Sequence, residues 1–321
     1  MEEGLVSIIT PCFNGENYVD EYFNSILNQT YPKVEVIFVN DGSTDSTEKI
    51  AKKYEKKIEE KGYKYTYIYQ NNAGQAAALN KGLKIFKGEF LTWPDADDIL
   101  YKDSIEKRVK FFKENTEYDL VRNEVNLVDF DTGNKIREFK LNKENRKENI
   151  FEDLIFGQNV FYAPVSYMIR TKKFLEINPR REIFETRYGQ NWQMLLPISY
   201  KSKCGYIDEI LCDYRVRKDS HSRIKVNSLE EERNKAEKHI EILENVLKPM
   251  NLFEVYKNRI YEKYERNLLR EAYLYNDYNF SRETINKIKK YGKANYKDYA
   301  YYYCTKYKLL RRIIKLLKRN K

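Results

Sequence analysis

Two periodicities alternate across the first hundred residues, and that alternation constrains the fold more than any other feature. Leu5 to Thr10 is a short apolar run stopped by Pro11, as expected of a strand buried on both faces. Tyr18, Val19, Tyr22, Phe23, Ile26 and Leu27 then recur at helical spacing. Val34 to Val39 repeats the strand pattern, and Lys64 to Tyr69 and Glu89 to Trp93 follow, with helical stretches near 45–61 and 75–87 between them. Strand and helix in such alternation predict an α/β fold, a mostly parallel sheet with helices on both faces. Ligands bind such sheets beyond the carboxyl ends of the strands. The segments after Thr10, Val39 and Trp93 are therefore the places to look for function.

From residue 119 to about 222 the pattern is mixed. Short strands are predicted near 119–125, 165–169 and 211–216, a helix near 191–201, and a polar surface excursion over Asp131–Asn149. After 226 the chain turns helical and rich in Lys, Glu and Tyr. A boundary near 225 divides it into a first domain, 1–225, and a C-terminal helical region, 226–321. With 41% hydrophobic and 34% charged residues the chain is no disordered polymer. No apolar run approaches the ~18 residues that span a bilayer. Met1 to Gly4 leads straight into a strand, so no signal peptide is expected. Cys12, Cys204, Cys212 and Cys304 form no Cys-x-x-Cys pair, which argues against a zinc ribbon or disulfide framework and for reduced thiols in the cytoplasm. The net charge of +10 is concentrated in residues 306–321, which carry eight cations and no acid, leaving +2 for the rest. A nearly neutral body disfavours nucleic acid as a partner.

Three segments carry candidate chemistry. After the second strand comes Asn40-Asp41-Gly42-Ser43-Thr44-Asp45-Ser46-Thr47-Glu48. Asp45 and Glu48 suit a helix cap and capping box. Asp41 has no such role, and a carboxylate at the lip of a sheet can accept a base N–H or a ribose hydroxyl. After the fourth strand comes Trp93-Pro94-Asp95-Ala96-Asp97-Asp98. Three carboxylates in four residues either form a solvated turn or hold a hard cation, Mg²⁺ or Mn²⁺, beside a diphosphate. Between these lies Asn72-Ala73-Gly74-Gln75, where Gly74 permits close backbone approach to a ligand or Asn72 caps the next helix.

The order and spacing of these segments resemble family 2 glycosyltransferases of the glycosyltransferase-A fold. The resemblance rests on Ser7-Ile8-Ile9-Thr10-Pro11-Cys12-Phe13-Asn14, Ser25-Ile26-Leu27-Asn28-Gln29-Thr30-Tyr31, Asp41-Gly42-Ser43-Thr44-Asp45, Asn72-Ala73-Gly74, Asn80-Lys81-Gly82, Lys87-Gly88-Glu89 and Pro94-Asp95-Ala96-Asp97-Asp98. It is dense from residue 4 to about 115 and thin to about 222. It implies transfer of a sugar from a nucleoside diphosphate sugar, with a uridine donor expected, to a hydroxyl of a saccharide or lipid-linked acceptor. It further implies that Pro11, Phe13, Asp41 and Asp95 hold the nucleotide and that Asp97 binds Mn²⁺ or Mg²⁺. Gly74 is a further donor-site candidate. His221, where relatives close a loop over the diphosphate, is a candidate metal ligand or a surface residue. The family's general base is commonly an aspartate before a Trp-containing helix, but here Gly189-Gln190-Asn191-Trp192 carries amides. An amide is no base near neutral pH, so Asn191 leaves the base unassigned, with Glu185 and Asp98 as candidates. A relative that binds nucleotide sugar without transferring it is the rival reading.

The tail is the last signal. Leu309, Leu310, Ile313, Ile314, Leu316 and Leu317 recur at helical spacing opposite the eight cations. Such a helix either docks on preceding helices or lies on an anionic membrane surface, here the inner face of the cell membrane.

Overall fold

The computed structural model describes residues 1–187, 189–217, 227–307 and 310. The chain divides into two units, Met1–Ser222 and Arg223–Lys321, at a point outside the described residues.

The first unit begins with the expected alternation. Strands β1 (Glu2–Cys12), β2 (Val34–Asp41), β3 (Lys64–Gln70) and β4 (Gly88–Thr92) are separated by helices α1 (Val19–Leu27), α2 (Thr47–Glu60) and α3 (Gln75–Ile85). They pair in parallel, in the spatial order β3-β2-β1-β4. Side-chain alternation along the strands serves both faces. Val6, Ile8, Val36 and Phe38 pack in one cluster with Tyr22, Phe23 and Ile26 of α1 and Ala51 and Tyr54 of α2. Ile9, of opposite parity, meets α3 at Gly82.

Beyond β4 the sheet becomes mixed. It continues through β5 (Ile99–Leu100), α4 (Ser104–Glu114), β6 (Tyr118–Asp129), β7 (Lys135–Phe139), α5 (Phe151–Phe156), β8 (Tyr167–Arg170), α6 (Thr171–Ile177), α7 (Gln190–Ser199) and β9 (Lys203–Val216). β8 inserts antiparallel between β4 and β6, β6 runs parallel to β9, and β5 returns antiparallel along β9. Among the described residues the sheet has nine strands. The polar stretch 131–149 is not only a surface excursion: Lys135–Phe139 pairs with β6, although most of it is exposed. All four cysteines are buried and none is in a disulfide among the described residues.

The second unit carries α8 (Leu229–Leu247), α9 (Phe253–Tyr275), α10 (Tyr278–Tyr291) and α11 (Tyr296–Lys306). Ser228 accepts the Glu231 amide at the start of α8, and Asn295 and Asp298 form a reciprocal capping box at the start of α11. Leu269, Ile285 and Ile288 form a buried cluster between α9 and α10. Among the described residues no helix is long and apolar enough to cross a membrane. The basic apolar stripe at 309–317 lies outside the described residues except for Leu310, which is 37% exposed.

Candidate active site

The carboxyl ends of β1, β2 and β4 lie side by side, and the loops that leave them are laced together. Asn14, at φ +49°, accepts the Thr44 amide at 2.9 Å, and its own amide donates to Ser43 Oγ at 2.9 Å. Glu16 N donates to Asp45 Oδ2 at 2.9 Å, and Ser46 N donates to Glu16 Oε2 at 3.0 Å. Asp45 also accepts the Thr47 amide at 3.0 Å, so it does serve the start of α2. Glu48 does not close a capping box. It pairs instead with Lys52 one turn on, at 2.5 Å. Pro11 is buried at the end of β1 beside Val39, while Phe13 stands 43% exposed on the rim.

Asp41 is buried and organises the next loop. Its Oδ1 accepts Gln70 Nε2 at 2.7 Å and the Ala73 amide at 2.9 Å, and its Oδ2 accepts the Gly74 amide at 2.9 Å. A carboxylate has about four lone-pair sites, so one acceptor position remains for a further donor. Asn72 caps no helix; it donates to the Asp41 carbonyl at 3.0 Å and receives Arg187 at 3.1 Å. Gly42 is required here, since φ is +75° and a Cβ would stand 2.6 Å from the Asn72 nitrogen.

Asp95, Asp97 and Asp98 converge, each offering an oxygen within 4.8 Å of the others. Burial and the Asp97 charge push Asp95 up to about 7, against a hydrogen bond from Gln75. Asp98, only 1% exposed, is raised well above the carboxylate range by burial and then by Asp97 and Asp95. Its Oδ1 accepts the Arg215 amide at 3.0 Å, whereas its buried Oδ2 has no hydrogen-bond partner among the described residues. An all-oxygen donor set with one orphaned buried oxygen fits a hard divalent cation such as Mn²⁺ or Mg²⁺. The cluster is not without a nearby cation, however. Arg217 Nη1 stands 3.4 Å from Asp97 Oδ2. His221 lies outside the described residues.

The two strand-end carboxylates meet at one helix start. Asp41 holds Gly74, and Gln75 Nε2 donates to Asp95, so adjacent residues tie the tip of β2 to the loop after β4. Gln190 extends the chain, donating to Gln75 Oε1 at 2.5 Å. Asn191 is held at both ends of its amide: Trp93 Nε1 donates to its Oδ1 at 3.0 Å, and its Nδ2 donates to the Tyr162 carbonyl at 2.8 Å. Glu185 is exposed on the segment before α7, close to Thr186 and Arg187, which lie against Gly74. Sequence reasoning missed Gln75, Gln190 and Arg217 as site residues. Arg215 and Arg217, two apart at the end of a strand and so on one face, were the only available signal for the last.

Comparison with known proteins adds to this geometry. The model of glycosyl transferase family 2 matches residues 7–177, just over half of the chain. A Rickettsia typhi protein described as an uncharacterized glycosyltransferase is 43% identical over 117 residues, 36% of this chain and 35% of that one. TuaG of Bacillus subtilis, described as a putative teichuronic acid biosynthesis glycosyltransferase, is 40% identical over 110 residues, 34% of this chain and 42% of that protein. The chain thus spans about a third of the length of the first of these relatives. Among solved structures, S. aureus TarS in complex with UDP-GlcNAc aligns with a TM-score of 0.56 at 20% identity, over 83% of this chain and 81% of that one. A Pyrobaculum calidifontis mannosyltransferase in complex with GDP-Man and Mn²⁺ aligns with a TM-score of 0.52 at 16% identity, over 97% and 86%. At such identities the likeness is one of fold, the glycosyltransferase-A fold. With the family's model covering the loops that carry Asp41, Gly74 and the aspartate cluster, the chain belongs to glycosyl transferase family 2.

Proposed function

We propose that this chain transfers a sugar from a nucleoside diphosphate sugar, a uridine one, to a hydroxyl of a saccharide or lipid-linked acceptor in cell-surface polysaccharide assembly. The observation that carries the proposal is the convergence of Asp41 and the Asp95–Asp97–Asp98 cluster on Gly74 and Gln75. One carboxylate keeps an acceptor position for a nucleobase N–H, and the other group offers oxygens for a metal. The ligands in the two structural neighbours, UDP-GlcNAc in one and GDP-Man with Mn²⁺ in the other, support a nucleotide-sugar donor. The name of the B. subtilis relative supports a polysaccharide product.

In this reading Pro11, Phe13, Asp41, Gly74 and Asp95 hold the nucleotide, and Asp97 with His221 holds the divalent cation. When bound, that cation would act as a Lewis acid on charge developing at the diphosphate. The acceptor hydroxyl attacks the anomeric carbon from the face opposite the leaving group, inverting it, and gives its proton to a base. Glu185 is the better candidate for that base. Asp98 is buried, binds the Arg215 amide and holds a proton more tightly than an ordinary carboxylate. Binding without transfer is the second reading, and the amide at Asn191 is what favours it.

Calorimetry and donor hydrolysis with Mn²⁺ separate the two. Wild type should bind UDP-GlcNAc or another UDP-sugar in a metal-dependent way and hydrolyse it slowly, and Asp97→Asn should lose both properties while melting normally. Binding without turnover across several acceptors would favour the second reading, and unchanged metal dependence in Asp97→Asn would remove Asp97 from the site.

We place the protein at the inner face of the cell membrane through residues 306–321. Supporting this, Tyr299, Tyr303 and Tyr307 form an exposed stripe leading into that segment, with successive rings stacked at 6.2 Å. Tyrosine suits a membrane interface because its ring is apolar and its hydroxyl stays wet.

A further inference from the structure

The end of β9 carries a cation into the acidic cluster. β5 and β9 pair antiparallel, with Ile99 opposite Asp213 and Leu100 opposite Cys212. The ladder stops there, because residues 95–98 form a turn in which the Asp98 amide donates to the Asp95 carbonyl at 3.2 Å, while β9 runs on to Val216. Arg215 directs its amide to Asp98 and its guanidinium to Glu21, 2.6 Å away and outside the cluster. Arg217 turns inward. Its Nη1 is 3.4 Å from Asp97 Oδ2, and its guanidinium lies 4.6 Å from the Tyr18 ring centroid and 5.7 Å from that of Phe130. The two rings stand edge to face, 6.1 Å apart at 86°, and each offers the guanidinium a cation–π contact.

A guanidinium and a divalent cation repel each other and compete for the same carboxylate. Arg217 therefore cannot keep its pairing unchanged once a metal is held by Asp97. The nearest new anion would be the donor's diphosphate, which matches the fork of donors on a guanidinium. We propose that Arg217 is an exchangeable cation: it neutralises Asp97 in the donor-free protein and passes to the diphosphate when donor and metal bind. In the bound state it adds a second positive charge beside the leaving group. This rests on the donor and metal roles proposed above.

Two binding measurements with opposite expected signs test it. Free Mn²⁺, read by electron paramagnetic resonance, should bind Arg217→Gln about tenfold more tightly than wild type, because a competitor for Asp97 is gone. UDP, titrated calorimetrically at saturating Mn²⁺, should bind that variant about tenfold more weakly, in line with loss of a charged hydrogen bond. Arg217→Lys, which keeps the charge without the fork, should leave Mn²⁺ affinity near wild type and weaken UDP by a few-fold. It also serves if the glutamine variant melts early. Unchanged Mn²⁺ affinity in Arg217→Gln, or changes of the same sign for both ligands, would overturn the exchange. Asp97→Asn distinguishes the two levels of the argument. If it abolishes Mn²⁺ binding while Arg217→Gln alters nothing, the metal role stands and the exchange falls; if wild type binds no Mn²⁺, both fall.

Discussion

Asn191 occupies the place where the family resemblance predicts a general base, and its surroundings specify an amide. Trp93 Nε1 presents a donor to one end and the Tyr162 carbonyl presents an acceptor to the other. A carboxylate could satisfy only the first and would face the second oxygen to oxygen. Asn191→Asp should therefore cost about 1–3 kcal/mol, the penalty for leaving a desolvated acceptor unpaired, and should not raise turnover. Urea unfolding reads the first effect and donor hydrolysis the second; faster hydrolysis by Asn191→Asp would show that the position is a lost base after all. At this scale the carboxylates were legible because they sit where strands end: Asp41 after one apolar run, Asp95 and Asp97 after another. Arg217 was not, since its meaning depends on pairing with a carboxylate 120 residues away. The amide chain Gln190–Gln75–Asp95 was hidden for the same reason, spanning 115 residues at its longer link.

At the scale of elements, α3 is what brings the two carboxylate loops together, and its composition lets it approach the sheet. Ala76, Ala77, Ala78 and Gly82 are buried. A Cβ on Gly82 would come within 2.3 Å of Ile9 Cγ2, a methyl fixed to a fully buried strand residue. Gly82→Ala must push the helix away from β1, an overpacking cost of about 1–3 kcal/mol. Because Gly74 and Gln75 begin the same helix, the displacement should also weaken UDP binding. The expected result is a lower melting temperature with reduced nucleotide affinity; a full-affinity variant that melts early would show that the helix start is held by its loop contacts alone. The four parallel strands were readable from their apolar runs. The mixed half was less so, because β8 is only four residues long and β7 is mostly exposed, and neither length nor alternation marks the direction in which a short strand pairs.

At the scale of the whole molecule, the unequal distribution of charge is what the proposed membrane placement rests on. Eight cations and no acid stand in residues 306–321, against +2 for everything before them. Each cation near an anionic surface contributes ~1 kcal/mol, screened over a Debye length of ~8 Å at physiological ionic strength. Not all eight can face lipid at once, so their sum is an upper bound. The apolar share does not depend on salt. It includes Leu310 and the exposed rings of Tyr299, Tyr303 and Tyr307 on α11 and just beyond it. Sedimentation with vesicles should therefore show binding that rises with anionic lipid content and weakens, without vanishing, at high salt. Replacing the three tyrosines by serine should lower the salt-resistant part and leave the salt-sensitive part in place. Deleting residues 306–321 should release the protein from vesicles while hydrolysis of a soluble donor persists. If the truncated chain instead unfolds, those residues belong to the core of the helical unit and the membrane reading fails. If it stays folded and still binds anionic vesicles as tightly, the attraction lies elsewhere in the chain.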